Sequence, residues 1–261
     1  MPNWELPADL PPGRFVTPEP RAGGAPSTEV CLWVSDNPVP DAGELWARLY
    51  AEHPRTGLYP LLLDVLQRGS DRPWHCGELA PRPISAIDTT DPETFLHRSW
   101  AHHHASEPWP GLAPAFIRDQ DPDATACTLA KKLDKRYKTA NFFLGLVPAL
   151  RGADALTVCG WQGPANHMSD ICEISAVVRS WEDRFGARVV GADFNTLRLS
   201  FAAPPTTREQ GFAIAAEFRA FCPSTFVYDT LIDEVVDGYW MDDDSRAGGI
   251  LGETGISFWW D

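Results

Sequence analysis

The sequence predicts an α+β protein: a two-layer α/β sandwich as the C-terminal domain, preceded by a smaller βαβ-like N-terminal region. Segments with the 3.6-residue period of helices alternate with short apolar segments typical of strands. Hydrophobic residues make up 44% and charged residues 22% of the 261 residues, as in ordinary globular proteins. A chain of this length can also bury a substantial core.

Residues 1–28 are predicted to form a proline-rich arm. The seven prolines of this segment remove backbone donors and fix φ, so we expect an extended surface segment rather than a helix or a central strand. The arm is not expected to contribute to a core.

The N-terminal α/β region, residues 29–105, begins with a βαβ pattern. Its elements are, in order, a strand over 30–34, a helix that begins after Asp41 and an apolar strand over 58–65. Asp91 then predicts the N-cap of another helix, from 92 to about 104, because a proline and a glutamate follow it.

Residues 106–149 are predicted to hold a linker and a basic amphipathic helix. Several prolines without sustained periodicity indicate a loop up to Pro122. Apolar residues then fall near one helical face: Leu129, Leu133, Tyr137, Ala140 and Leu144. Every lysine of the chain surrounds this face. The helix could bind an anionic partner, but docking against the acidic residues of its own chain is favoured because the net charge is −14.

The C-terminal domain, residues 150–261, is predicted to have the order α-β-β-α-α-β. The signals are a helix from Asp170 to a stop at Gly186, a hairpin around 193–195, a helix capped at Thr206, a shorter helix around 229–237 and a strand over 256–260.

Large apolar side chains alternate along the last predicted strand. Ile256, Phe258 and Trp260 alternate with Ser257 and Trp259. Because successive strand residues face opposite sides of a sheet, the first three are expected to face the core and Trp259 to face outward.

Separated motifs in the C-terminal part resemble a bacterial family common in actinomycetes, Domain of Unknown Function 4253. These motifs are Gly160-Trp161, the segment from Arg179 to Val190, Ala203-Pro204-Pro205, Ala216-Glu217, Phe221-Cys222-Pro223 and the end from Phe258 to Asp261. The resemblance implies a shared fold unit and an actinobacterial host, but it implies no reaction.

Charge and composition exclude several classes of ligand and location. A net charge of −14 repels nucleic acid and anionic membranes and attracts basic partners. No apolar run is long enough to cross a bilayer, and the first residues lack a signal-peptide pattern, so a cytoplasmic location is expected. The six cysteines are scattered singly, which indicates reduced thiols rather than disulfides or a zinc site.

Two clusters of metal-ligating residue types occur, and neither has the spacing that a metal site needs. His97, His102, His103 and His104 crowd one predicted helix end, but ligands on one helix face are usually three or four residues apart. Asp119, Asp121 and Asp123 imitate the start of a calcium loop that lacks its glycine and glutamate, and Asp121 as a helix cap explains them as well. No metal and no cofactor are therefore expected.

No residue is assigned a catalytic role. The motifs G-x-S-x-G, G-x-x-x-x-G-K and G-x-G-x-x-G are all missing. Cys222 with His167 is the one conceivable nucleophile and base, and a small buried cysteine before Pro223 is the simpler interpretation.

The candidate binding residues are two groups within the recognised C-terminal motifs. On the predicted helix, Trp181 faces the apolar stripe, whereas Glu182 and Arg184 point away from it and are expected on an accessible face. Trp259 and Trp260 at the chain end form the second group.

Two functions are consistent with these patterns. The favoured one is a protein-binding or regulatory protein, such as an immunity protein that neutralises a basic toxin, acting as a monomer or weak dimer. The alternative is an enzyme of an unrecognised class, a small hydrolase or transferase, with its site in the cleft between the two regions.

Overall fold

Eight strands pair into one mixed sheet in the computed structural model of the protein. In chain order they are β1 (Gly13–Val16), β2 (Leu32–Ser35), β3 (Leu58–Leu63), β4 (Phe143–Pro148), β5 (Ala187–Ala192), β6 (Thr196–Phe201), β7 (Thr225–Tyr228) and β8 (Gly255–Trp259). Their spatial order is β1-β2-β4-β3-β5-β6-β8-β7. The structure describes residues 4–20, 28–67, 69–104, 106–136, 142–167, 170–223, 225–228 and 249–260.

Helices cover both faces of this sheet. They are α1 (Ala42–Thr56), α2 (Ser85–Asp88), α3 (Pro92–His103), α4 (Pro122–Arg136), α5 (Gly152–Cys159), α6 (Ile171–Phe185) and α7 (Arg208–Phe221). Leu61 and Leu63 pack into the apolar cluster with α3, α5, α6 and α7, whereas Leu62 packs into the cluster with α1 and α4. The α+β class is confirmed, and no helix in the described part of the chain is long and apolar enough to cross a membrane.

The predicted βαβ pattern corresponds to β2, α1 and β3. Both strands pair antiparallel with β4, so they run parallel to each other with β4 between them. The proline-rich arm adds an edge strand, because β1 pairs antiparallel with β2. The expectation that the arm adds nothing to the core is wrong for Val16, which is buried against the sheet.

The basic helix is shorter than predicted. Its described part, α4, ends at Arg136, and Leu144 lies in β4 rather than on the helical face. This strand pairs with both β2 and β3, where its residues alternate between the two apolar clusters. The pattern that places Leu144 on the helix fails because a fully buried strand has no polar face to reveal its period. Tyr137 and Ala140 lie outside the described residues.

The C-terminal elements follow the predicted order where they are described. Asp170 caps α6 through the Cys172 amide, and Gly186 ends α6 in the left-handed conformation. The cap of α7 is Thr207, one residue after the predicted Thr206, because Thr207 and Gln210 form the capping box. The helix predicted around 229–237 lies outside the described residues. The described helices of this part, α5, α6 and α7, all pack into the same apolar cluster and so lie on one face of the sheet.

Two glycines that end helices provide a matched test of backbone packing. Gly160 and Gly57 both have positive φ, 74° and 67°. A Cβ added to Gly160 would lie 2.1 Å from the backbone of Ala80, whereas at Gly57 it would meet nothing within 4 Å. We expect Gly57→Ala to cost about 1–2 kcal/mol from the left-handed conformation alone. Gly160→Ala should cost distinctly more in urea denaturation, and equal losses would contradict this packing.

Candidate functional site

A polar cleft of about 600 Å³ opens at the end of the sheet where β3 and β5 begin. One wall is formed by the end of α1 and the start of α4, and the other by the start of α5 and the end of α6. The lining residues are Tyr50, His53, Pro54, Tyr59, Arg118, Asp123, Leu150, Arg151, Gly152, Glu182, Asp183 and Arg188. The cleft is thus lined by residues from both the N-terminal and the C-terminal part of the chain.

Glu182 forms the buried acidic group of this cleft. Its carboxylate accepts hydrogen bonds from the Ala153 amide at the start of α5 (3.0 Å) and from Arg151 Nε. Burial raises the pKa of Glu182 above its ordinary value, although Arg151 and the Ala153 amide oppose this shift. A carboxyl group of raised pKa that lines a cleft is a common feature of functional sites.

Arg151 connects this carboxylate to the rim. Its guanidinium also donates to Asp183 Oδ1 (2.7 Å) and to the main-chain oxygen of Arg179. Burial lowers the pKa of Arg151, but Glu182 and Asp183 more than offset this and raise it. Burial decides the direction for Glu182, which is almost fully buried, whereas the two neighbouring carboxylates decide it for Arg151.

The opposite wall carries a second network around Tyr50. Its hydroxyl donates to Asp123 Oδ1 (2.9 Å) and accepts from Arg188 Nε (3.0 Å). Burial raises the pKa of Tyr50 far above its ordinary value, so the phenol stays protonated. The Tyr50 ring stacks on Trp46 and lies near His53, whose Nε2 donates to the Ala149 carbonyl.

The rim of the cleft combines carboxylates with protruding aliphatic side chains. The side chain of Asp183 accepts a hydrogen bond from Arg151, and its main-chain oxygen accepts one from Arg118. Each arginine directly follows an exposed aliphatic residue: Leu150 is 79% and Ile117 83% exposed. These are the two most exposed large hydrophobic residues in the described part of the chain. Leu150 lines the cleft, whereas Ile117 does not line it but directly precedes Arg118, which does.

Two carboxylates of the cleft lie at its exposed rim, and two arginines lie deeper, on the inner walls. The side chains of Asp123 and Asp183 are more than half exposed, whereas those of Arg151 and Arg188 are much less exposed. In the described residues, only one oxygen of each of these two carboxylates accepts a hydrogen bond. Because both carboxylates are more than half exposed, an external donor can approach them.

The predicted binding residues on α6 are more buried than expected. Trp181 is buried, as predicted, but Glu182 is 6% exposed, and Arg184 pairs with Glu217 through two hydrogen bonds of 2.7 and 2.6 Å. The prediction of an accessible face is wrong because α5 and α7 flank α6, so positions beside its apolar stripe contact neighbouring helices. Glu182 lines the cleft, while Trp181 and Arg184 belong to a separate buried network.

Buried and exposed side chains alternate at the chain end, as the sequence predicts. Trp260 is 1% and Trp259 39% exposed, and Ile256 and Phe258 are buried beside Trp260. The inward direction of Trp260 is confirmed, and of the two tryptophans only Trp259 presents substantial surface. It does not line the cleft.

The other candidate residues do not meet in this cleft, apart from Asp123. The Cys222 thiol is buried and directed at the Trp259 carbonyl (3.1 Å), whereas His167 is exposed. Asp121 accepts from the Ala124 amide, as a cap of α4 does. Sequence patterns did not reveal Tyr50, Arg151 or Arg188 as site residues, since they lie on separate elements and form no motif.

The C-terminal part of the chain is similar to a known protein family. Residues 143–261 match the family described as Domain of unknown function (DUF4253). The match begins with β4, seven residues before the start predicted from the sequence, and includes Glu182, Asp183 and Arg188 of the cleft. No curated protein and no solved structure matches the chain.

The raised pKa of Glu182 has a testable sign. At pH values above 4.5, the ordinary pKa of this carboxyl, the folded state holds the proton more tightly than the unfolded state does. The carboxyl's contribution to stability therefore falls as the pH rises through this window. Glu182→Gln cannot ionise, so the stability of the natural protein relative to this variant should fall as the pH rises above about 4.5. A rising difference in denaturation measurements would contradict the burial effect, and Asp183→Asn provides the exposed control.

Proposed function

We propose that this chain binds another protein through the rim of the polar cleft, and that the partner is basic. The observation that carries the proposal is the protruding aliphatic side chain of Leu150 in the cleft lining, beside the outward-facing carboxylates Asp123 and Asp183. Exposed apolar surface bordered by polar residues is typical of an interaction site.

The charge of the whole chain supports a basic partner. A net charge of −14 accelerates encounter with positively charged proteins, and the rim carboxylates can receive their side chains. An immunity protein that neutralises a basic toxin is one form of such a function. The proposal includes a cytoplasmic location, a monomeric or weakly dimeric state and, from the family resemblance, an actinobacterial host.

Affinity capture from the host with matched variants tests this proposal. Leu150→Asp alters the rim and Ile117→Asp alters the residue before Arg118 of the lining, while Leu66→Asp alters an exposed leucine that does not line the cleft. We expect a basic protein to be retained by the natural chain and by Leu66→Asp, and to be lost with both other variants. In the purified complex each of these two substitutions should cost about 2 kcal/mol or more, the size of an interface hot spot. Retention of the same proteins by all variants, or of none by the natural chain, would overturn the proposal.

The second candidate, a small hydrolase or transferase, is favoured by one observation. The buried carboxyl of Glu182 lines the same cleft as the phenol of Tyr50 and the imidazole of His53, which are groups that transfer protons in enzymes. The two functions respond differently to Glu182→Gln. This substitution should leave partner capture intact, because the rim is unchanged, but it should abolish retention or turnover of a small molecule in the cleft.

A further inference from the structure

A second cavity, of about 320 Å³, lies at the C-terminal end of α3 and does not share a residue with the cleft. It gathers three of the chain's histidines from distant positions: His102 and His103 at the end of α3, and His167 from the turn before α6. The remaining lining residues are Phe95, Arg98, Ser99, Glu173 and Pro223.

This cluster does not have the geometry of a metal site. His102 and His103 are consecutive on α3, and their rings are nearly perpendicular, at 88°, with centroids 4.6 Å apart. Among the described residues, no three histidines, cysteines or carboxylates lie where they could hold a metal.

The charged groups around the cavity determine what it can bind. On α3, Arg98 lies over the Phe95 ring and forms an ion pair with Glu173 of α6 (2.5 Å). Apart from this pair, the titratable groups that face the cavity are the three histidines, and Pro223 beyond α7 adds no charge. The charges of Arg98 and Glu173 offset each other, so any net charge of the cavity comes from its histidines.

Two effects act on the protonation of His103 in opposite directions. Burial lowers the pKa of His103, and the positive charges of His102 and His167 lower it further. The negative end of the α3 dipole, by contrast, favours cations at its last turn. An external anion would relieve the mutual repulsion of the imidazolium groups.

We propose that this cavity binds a small oxyanion with two negative charges through the imidazoles of His102, His103 and His167 and the guanidinium of Arg98. Imidazolium and guanidinium groups donate charge-assisted hydrogen bonds to such oxygens. Because the anion prefers the protonated histidines, its affinity rises as the pH falls. The site is independent of the partner-binding rim.

Sulfate is the probe for this site, because its charge stays constant across the pH range used. Imidazole signals of the full chain are followed by NMR at increasing pH, with sulfate or with sodium chloride of the same ionic strength. We expect sulfate, but not chloride, to shift the imidazole signals of His102, His103 and His167, and to bind about tenfold more tightly at pH 5.5 than at pH 7.5.

Matched variants on one helix separate this site from general screening of charge. His97 is exposed on α3 but does not line the cavity, so His97→Gln should leave sulfate binding unchanged. His103→Gln and His102→Gln, both at exposed positions of α3, should each weaken it at pH 5.5 by several-fold or more without affecting the fold. Equal shifts of His97 and the cavity histidines, no effect of sulfate, or tight binding of Zn²⁺ without binding of sulfate would each overturn the proposal.

Discussion

Glu217→Ala is expected to lower the free energy of unfolding by about 3–5 kcal/mol, because it leaves the charge of Arg184 without its partner in a buried site. Glu217 is fully buried and accepts four hydrogen bonds: from Ala113 N (2.7 Å), Trp181 Nε1 (2.8 Å), Arg184 Nη1 (2.7 Å) and Arg184 Nη2 (2.6 Å). In the variant the Ala113 amide, Trp181 Nε1 and Arg184 Nη2 lose this acceptor, and Arg184 Nη1 keeps only the Ala113 carbonyl (2.7 Å). Urea denaturation measures the loss.

Two further substitutions on α7 calibrate this result. Glu209→Ala removes an exposed carboxylate from the first turn of the same helix, and its effect should stay within about 0.5 kcal/mol. Glu217→Gln keeps the shape and one acceptor, so its loss should lie between the other two. If Glu217→Ala costs no more than Glu209→Ala, the buried network does not stabilise the packing of α6 against α7.

Trp260→Ala should destabilise the protein by about 3–5 kcal/mol, and Trp259→Ala by far less. Trp260 packs at ring distances of 5.7 Å from Trp161 and 5.5 Å from Phe221. Trp259 lies on the opposite face of β8 and is partly exposed. Chemical denaturation of the two single variants decides between inward and outward packing.

Deletion of residues 258–261 extends the same test to the strand. Since β8 lies between β6 and β7, the deletion removes pairing on both sides and should unfold the C-terminal part. Equal, small losses in both tryptophan variants, together with a folded deletion variant, would mean that the chain end is not part of the core.

Local signals predicted helix ends and side-chain direction well. Asp170 and Gly186 bracket α6 as their chemistry requires, since a side-chain acceptor begins a helix and a glycine with positive φ ends it. Alternation along β8 also predicted the burial of Trp260. These signals lie within a few residues of one another, so a single sequence contains all the information they need.

Properties that depend on neighbours distant in the chain were not predicted. The periodicity of α6 identifies the stripe that faces the sheet but not the helices beside it, which is why Glu182 and Arg184 were expected on an accessible face. The cleft is a stronger example, because Arg188 Nε meets the Tyr50 hydroxyl across a separation of 138 residues. No local pattern encodes such a meeting.

The most direct test of partner binding at the rim is photocrosslinking from single positions in the host. A photoreactive residue replaces Leu150 in one variant and Leu66, exposed away from the rim, in the other. We expect one discrete crosslinked product from position 150, containing a basic protein, and none from position 66. The same products from both positions, or none from position 150 in cells that express the chain at its natural level, would contradict partner binding at the rim.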